Sequence, residues 1–235
     1  KYSHANIGYG IHSLRAVEFE NIIQLCEIKT KNTPLHIHVS EQIKEIEECI
    51  AHSGQRPVEW LSNHVALDEN YHLVHATHLT DIEIAQITGA GSNVVLCPST
   101  EGNLGDGLFP LSKFLNKNGK WSIGTDSHVG INPLEEIRIL DYGQRLITHS
   151  RNTFGTADSG DNGQIATTSS LVNGRRAMGI DQKTFFEIGT PLDALIISDH
   201  APLIESSSKK NRTNTIIYAA DSSMFYGTIV NGKWV

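Results

Sequence analysis

Residues 35–42 read LHIHVSEQ, residues 73–78 LVHATH and residues 122–129 SIGTDSHV. Histidines and carboxylates at the ends of short apolar runs can ligate a metal, move protons, or be held by hydrogen bonds in an ordinary interior. If 35–39 is a strand, His36 and His38 share one face, and His38 lies about 6–7 Å nearer the strand's C-terminal end. Glu41 follows beyond that end, where a turn can bring it back over the mouth. The plainer alternative is two satisfied interior histidines and a glutamate favouring the dipole of the next helix. His75 sits near the end of its run and His78 in the loop after it, a weak signal alone. Asp126 is a stronger one, because a carboxylate at the end of a buried strand needs a partner or a metal. Its plainer reading is an aspartate capping its own turn.

The elements that must position these groups follow from periodicity. Apolar runs at 7–14, 35–39, 71–77, 92–100 and 121–127 read as strands. Between and after them, 16–30, 41–54, 79–91, 110–119 and 133–146 have helical period. Val17, Ile22, Ile23 and Cys26 form one stripe; Gly54 closes the second helix, Thr80 is an N-cap and Pro133 opens the last. Alternating βα units imply parallel strands with right-handed crossovers. Each strand ends in chemically capable residues (HSLR, HVSE, HATH, PSTEGN, TDSH), and C-terminal strand ends form the active site of a (β/α)8 barrel. The predicted fold class is therefore α/β: about five βα units, the C-terminal part of a TIM-type barrel. About three strands of such a barrel are unaccounted for and are expected before Lys1, so the chain reads as N-terminally truncated. Residues 151–164 are polar and Gly-rich, a candidate lid over the pocket; 165–179 has helical period. Runs at 191–199 and 225–235, the second carrying the hairpin signal Asn231-Gly232, predict part of a small β-sandwich annex over 191–235, after a barrel domain over 1–190.

Composition narrows the function. The chain has 235 residues, 39% apolar and 19% charged, which excludes a disordered chain. A net charge of −7 argues against a nucleic-acid surface, but one or two local arginines suffice for a small anionic substrate. No apolar run approaches the roughly 20 residues a membrane-spanning helix needs. Cys26, Cys49 and Cys97 are odd in number and unpaired in spacing, which predicts a reducing, cytoplasmic setting. Histidine and carboxylate at the ends of three strands of one parallel set match what a hydrolytic zinc site uses: such ligands, an open position for water, and acid and base groups beside it.

The segments HSLRAV (12–17), HVSEQ (38–42), LVHATH (73–78), STEGNLGDGLFP (99–110), GTDSHV (124–129) and EEIRILDYGQRL (135–146) resemble the amidohydrolase superfamily. Within it they are most similar to the formimidoylglutamate deiminases of histidine degradation. The resemblance implies a zinc-dependent C–N hydrolase converting N-formimino-L-glutamate to N-formyl-L-glutamate and ammonia. It implies that His38 and Asp126 are metal ligands, that Glu41 protonates the imino nitrogen, and that His75 orients the attacking water with Asp126. Arg15, with His12, would hold a substrate carboxylate, a task suited to a bidentate guanidinium. The family's two further zinc ligands, an HxH pair on the first barrel strand, have no counterpart here and are expected from residues before Lys1. Two other readings stay open: an aromatic-ring deaminase of the guanine type, and a catalytically incomplete remnant. Self-association as a homodimer is compatible with the resemblance.

Overall fold

A computed structural model describes residues 5–155, 161–198 and 200–235. Five strands, β1 (Tyr9–Ser13), β2 (Leu35–Val39), β3 (Tyr71–His75), β4 (Asn93–Leu96) and β5 (Lys120–Ile123), form one parallel sheet in the order in which they occur in the chain. Leu35 pairs with Tyr71 and Val39 with His75, so β2 and β3 end level. Where β1 meets β2 the register slips: Ile11 pairs with Ile37 but Ser13 with His38, leaving His12 as an extra residue.

Helices α1 (Phe19–Ile28), α2 (Ile43–Ser53), α3 (Pro57–His64), α4 (Asp81–Ala90), α5 (Pro98–Leu104), α6 (Leu111–Leu115) and α7 (Pro133–Thr148) occupy the crossovers. Ile37 and Val39 of β2, Leu73 of β3 and Leu96 of β4 are buried in one apolar cluster with Ile22, Val58, Leu61, Ile84 and Ile87 from the helices. His36 and His38 alternate with these residues, as a strand of period two requires. Helix α8 (Asn162–Ala177) covers part of the sheet: His36 Nε2 donates to the Ala177 carbonyl and Asn173 Nδ2 to the Trp121 carbonyl, 2.9 and 3.0 Å. Thr80 and Glu83 form a reciprocal cap at the start of α4, and Gly54 and Gly91 end α2 and α4 at φ of 74° and 71°.

Several boundaries differ from the sequence expectation. The strands at 92–100 and 121–127 stop at Leu96 and Ile123, because the chain turns at Cys97 into α5, whose first residue is Pro98, and at Gly124 into an irregular loop. Residues 98–104 are thus helix, closed at Gly105. The helix expected over 165–179 begins earlier, at Asn162, because Asp161 caps it through Gly163 N and Gln164 N.

The loop expected as a lid over 151–164 has its centre, 156–160, outside the described residues. Its described flanks pack away from the strand ends that carry His38, His75 and Asp126. Phe154 stacks on Trp121 near the start of β5, with ring centroids 5.2 Å apart, and Phe154 N donates to Asn162 Oδ1.

The C-terminal part holds an antiparallel sheet of β6 (Ala194–Ile197), β7 (Phe225–Val230) and β8 (Lys233–Trp234). Asn231 and Gly232, at φ of 49° and 74°, make the expected hairpin. The run expected as a strand over 191–199 ends at Ile197, and Asp199 lies outside the described residues. Between β6 and β7 the chain also forms α9 (Pro202–Ser206) and α10 (Arg212–Ala219), so this region is not purely β. Among the described residues no helix is long and apolar enough to cross a membrane.

Candidate active site at the strand ends

The C-terminal ends of β2, β3 and β5 bring His38, His75 and Asp126 together, with one ligand atom from each within 4.8 Å of the others. His38 Nε2 lies 3.8 Å from Asp126 Oδ1, and His75 Nε2 lies 4.0 Å from Asp126 Oδ2. These separations are too long for hydrogen bonds. They are close to the edge of a tetrahedron of ligands around zinc, about 3.3 Å for metal–ligand bonds near 2.0–2.1 Å. Two imidazole nitrogens and a carboxylate are also the donor types zinc takes, so the residues present fit such an ion.

The orientation of His38 comes from the register slip. His12, the extra residue in β1, presents its carbonyl to His38 Nδ1 at 2.8 Å. A carbonyl only accepts, so Nδ1 carries the proton and Nε2 keeps a free lone pair toward Asp126. The His12 ring itself lies 5.3 Å from that of His38 and contacts Ser13 Oγ.

Glu41 reaches the cluster from the β2–α2 turn. Its Oε1 is 3.8 Å from His75 Nε2, and its Oε2 accepts from Arg15 Nη2 at 2.6 Å. Arg15, expected to face a substrate, is thus also tied to the expected acid–base residue. Burial pushes the His75 imidazole down, but Glu101, Glu41 and Asp126 outweigh it and hold the group above its ordinary value. Cys97, beneath the cluster, is raised by burial and by the charges of Glu101, Asp126 and Glu136, so it stays a neutral thiol.

The turns after β2, β3 and β4 share a device that period and propensity do not reveal. A buried glutamate accepts the backbone N–H groups of a strand-end turn at four places. Glu45 takes Ser40 N and Glu41 N at 2.9 and 2.8 Å. Glu83 takes Thr80 N, Glu101 takes Cys97 N, and Glu136 of α7 takes Ser99 N, each at 2.9 Å. The first three lie three to five residues after an amide they hold, a spacing readable as a carboxylate turning back on a helix start. Backbone strain is concentrated at the strand ends that carry the cluster. Of ten non-glycine residues at positive φ among the described residues, five (Ser40, His75, Ala76, Asp126 and His128) lie at or just beyond the ends of β2, β3 and β5. Such conformations each cost about 1–3 kcal/mol and persist where surrounding contacts impose them.

Parallel βα units with a histidine–carboxylate cluster at their C-terminal ends define a hydrolase-type scaffold, and the chain belongs to the amidohydrolase family, whose model matches residues 5–235. It is 37% identical over 230 residues to the formimidoylglutamate deiminase of Pseudomonas aeruginosa, covering 98% of this chain and 51% of that protein. The crystal structure of an amidohydrolase from Brucella melitensis superposes with a TM-score of 0.84 at 36% identity, covering 97% of this chain and 49% of that one. An adenosine deaminase from Xanthomonas campestris, solved with bound zinc, gives a TM-score of 0.85 over 97% of this chain and 51% of that one. At 21% identity that likeness concerns the fold alone. The chain spans about half the length of these relatives.

Proposed function

We propose that the strand-end cluster is part of the active site of a metal-dependent hydrolase that deiminates N-formimino-L-glutamate to N-formyl-L-glutamate and ammonia. The observation that carries this reading is the convergence of His38, His75 and Asp126, with Glu41 3.8 Å from His75, at the ends of three parallel strands. The name of the 37% identical relative supports the substrate. In this reading the five strands are the C-terminal part of a (β/α)8 barrel over residues 1–190, followed by the annex over 191–235.

His38 and Asp126 would hold a zinc ion. Bound there, zinc would supply Lewis-acid polarisation and make water more acidic. His75 orients the attacking water through Nε2, beside Asp126. Glu41 takes the water's first proton and delivers it to the imino nitrogen, and the remaining hydroxyl proton passes by the same carboxylate to the leaving amine as the C–N bond breaks. Water adds to the formimino carbon, the C–N bond to the imino nitrogen breaks, ammonia leaves and a formyl oxygen remains. Arg15 and His12 receive the substrate carboxylate. Arg15 has five N–H donors, so it can serve a carboxylate while one nitrogen stays on Glu41.

The test is ammonia release from N-formimino-L-glutamate and from guanine and adenosine, for the protein and its Arg15→Met variant. The proposal expects turnover of the formimino substrate and a loss of kcat/KM of about 10²-fold or more in the variant, as for a charge-assisted contact of several kcal/mol. Unchanged kcat/KM in Arg15→Met, or turnover of a ring substrate only, would favour the ring-deaminase reading.

A further inference from the structure

His75 is buried at 1% exposure, and its backbone is held at a φ of 66°. Its ring therefore has little freedom to exchange partners. Nδ1 faces Glu101 Oε1 at 3.3 Å, while Nε2 faces Glu41 Oε1 at 3.8 Å and Asp126 Oδ2 at 4.0 Å. Glu101 is itself buried, and the same Oε1 accepts Cys97 N at 2.9 Å, where the chain turns from β4 into α5. The carboxylate is thereby fixed from its own side.

An ionised carboxylate only accepts hydrogen bonds. Of the three carboxylates around the ring only Glu101 is within hydrogen-bond distance, so the neutral imidazole is favoured with its proton on Nδ1. The other tautomer would set the Nδ1 lone pair against a carboxylate oxygen in a site with almost no water to screen them. We propose that Glu101 is a positioning residue that fixes His75 as the Nδ1-protonated tautomer, so that its Nε2 lone pair is the one presented to the reacting centre. Glu101 does not touch the cluster's open side; it acts through His75. The kinetic consequence rests on the deiminase reading above, whereas the tautomer itself rests on geometry alone.

Glu101→Leu separates the two possibilities because it removes the one acceptor within hydrogen-bond reach of Nδ1 and leaves only Nε2 opposite carboxylates, those of Glu41 and Asp126. Glu101→Gln is the conservative control, since an amide oxygen at the Oε1 position can accept from both Cys97 N and His75 Nδ1. The experiment is a long-range 1H–15N correlation spectrum of histidine-labelled, metal-free protein at mildly alkaline pH, with His75→Gln used to assign the His75 signals. The expected result is a protonated Nδ1 in the native protein and in Glu101→Gln, and transfer of the proton to Nε2 in Glu101→Leu. A proton on Nε2 in the native protein, or a native-like fold by circular dichroism with Nδ1 still protonated in Glu101→Leu, would overturn the proposal.

Where the zinc-loaded protein releases ammonia, Glu101→Leu is expected to lose about 10²- to 10⁴-fold in kcat, as for a base held in the wrong tautomer, with KM changed by less than about threefold. Glu101→Asp, which keeps the carboxylate, is expected to recover part of that loss and the native tautomer. Native kcat in Glu101→Leu would overturn the positioning role. If the native protein released no ammonia, the deiminase reading would fail, and the tautomer comparison would still decide the role of Glu101.

Discussion

Acid should destabilise the fold through His72. This residue sits in β3 without solvent exposure, its ring centroid 4.8 Å from that of His36, and neither ring nitrogen has a hydrogen-bond partner. Burial first, then the charges of His36, Arg176 and Lys29, lower its pKa from 6.5 to about 3. The folded-state value lies below the unfolded one, so stability is full above pH 6.5 and falls as the pH drops from there toward 3. Within that window the unfolded chain holds a proton that the folded chain refuses, which costs about 1.4 kcal/mol per pH unit. The loss reaches about 2 kcal/mol by pH 5 and about 5 kcal/mol at most, comparable with the whole stability of an ordinary domain. His72→Leu removes both the titration and the two unpartnered nitrogens. Urea unfolding, followed by tryptophan fluorescence between about pH 7 and pH 5, should show the native protein losing about 2 kcal/mol more than the variant. At neutral pH the variant should be no less stable than the native protein, because a buried polar group without a partner is removed. Equal slopes in the two proteins would refute the reasoning.

Two further variants probe the site. Glu41→Gln should reduce ammonia release by about 10²- to 10⁴-fold while zinc affinity, measured by competition with a chromogenic chelator, stays native, since Glu41 moves a proton and is not one of the expected ligands. Glu45→Gln replaces one of the two acceptor oxygens holding Ser40 N and Glu41 N with a donor. It should cost about 1–3 kcal/mol in urea unfolding and lower kcat as the turn carrying Glu41 loosens.

The strand of the catalytic lip was fully legible, and for a physical reason. LHIHV alternates between the apolar core and a polar face, and β2 covers 35–39 without an error at either end. Helix ends with a chemical marker, Thr80, Gly54 and Pro133, were legible in the same way. Helices α3 and α5 were not, because seven or eight residues give too few turns for a periodic stripe to stand out. Nor were α9 and α10, which interrupt the annex. His38, His75 and Asp126 could be named as candidates because each ends an apolar run. The pairing of Arg15 with Glu41, 26 residues apart, and the use of the His12 carbonyl to orient His38 depend on strand register, which residue types do not carry. Positive φ at His75 and Asp126 has no marker either, since neither position is a glycine.

The central claim is that His38 and Asp126 bind a zinc ion used in deimination. The most direct measurement is zinc content by elemental analysis of the purified protein, of His38→Ala and of Asp126→Asn, each run beside ammonia release from N-formimino-L-glutamate. The account predicts about one zinc per chain, a stoichiometry set by the single His38–Asp126 site, in the native protein. It also predicts loss of both metal and ammonia release in each variant. Zinc retained in both variants, or ammonia released undiminished without it, would contradict the account.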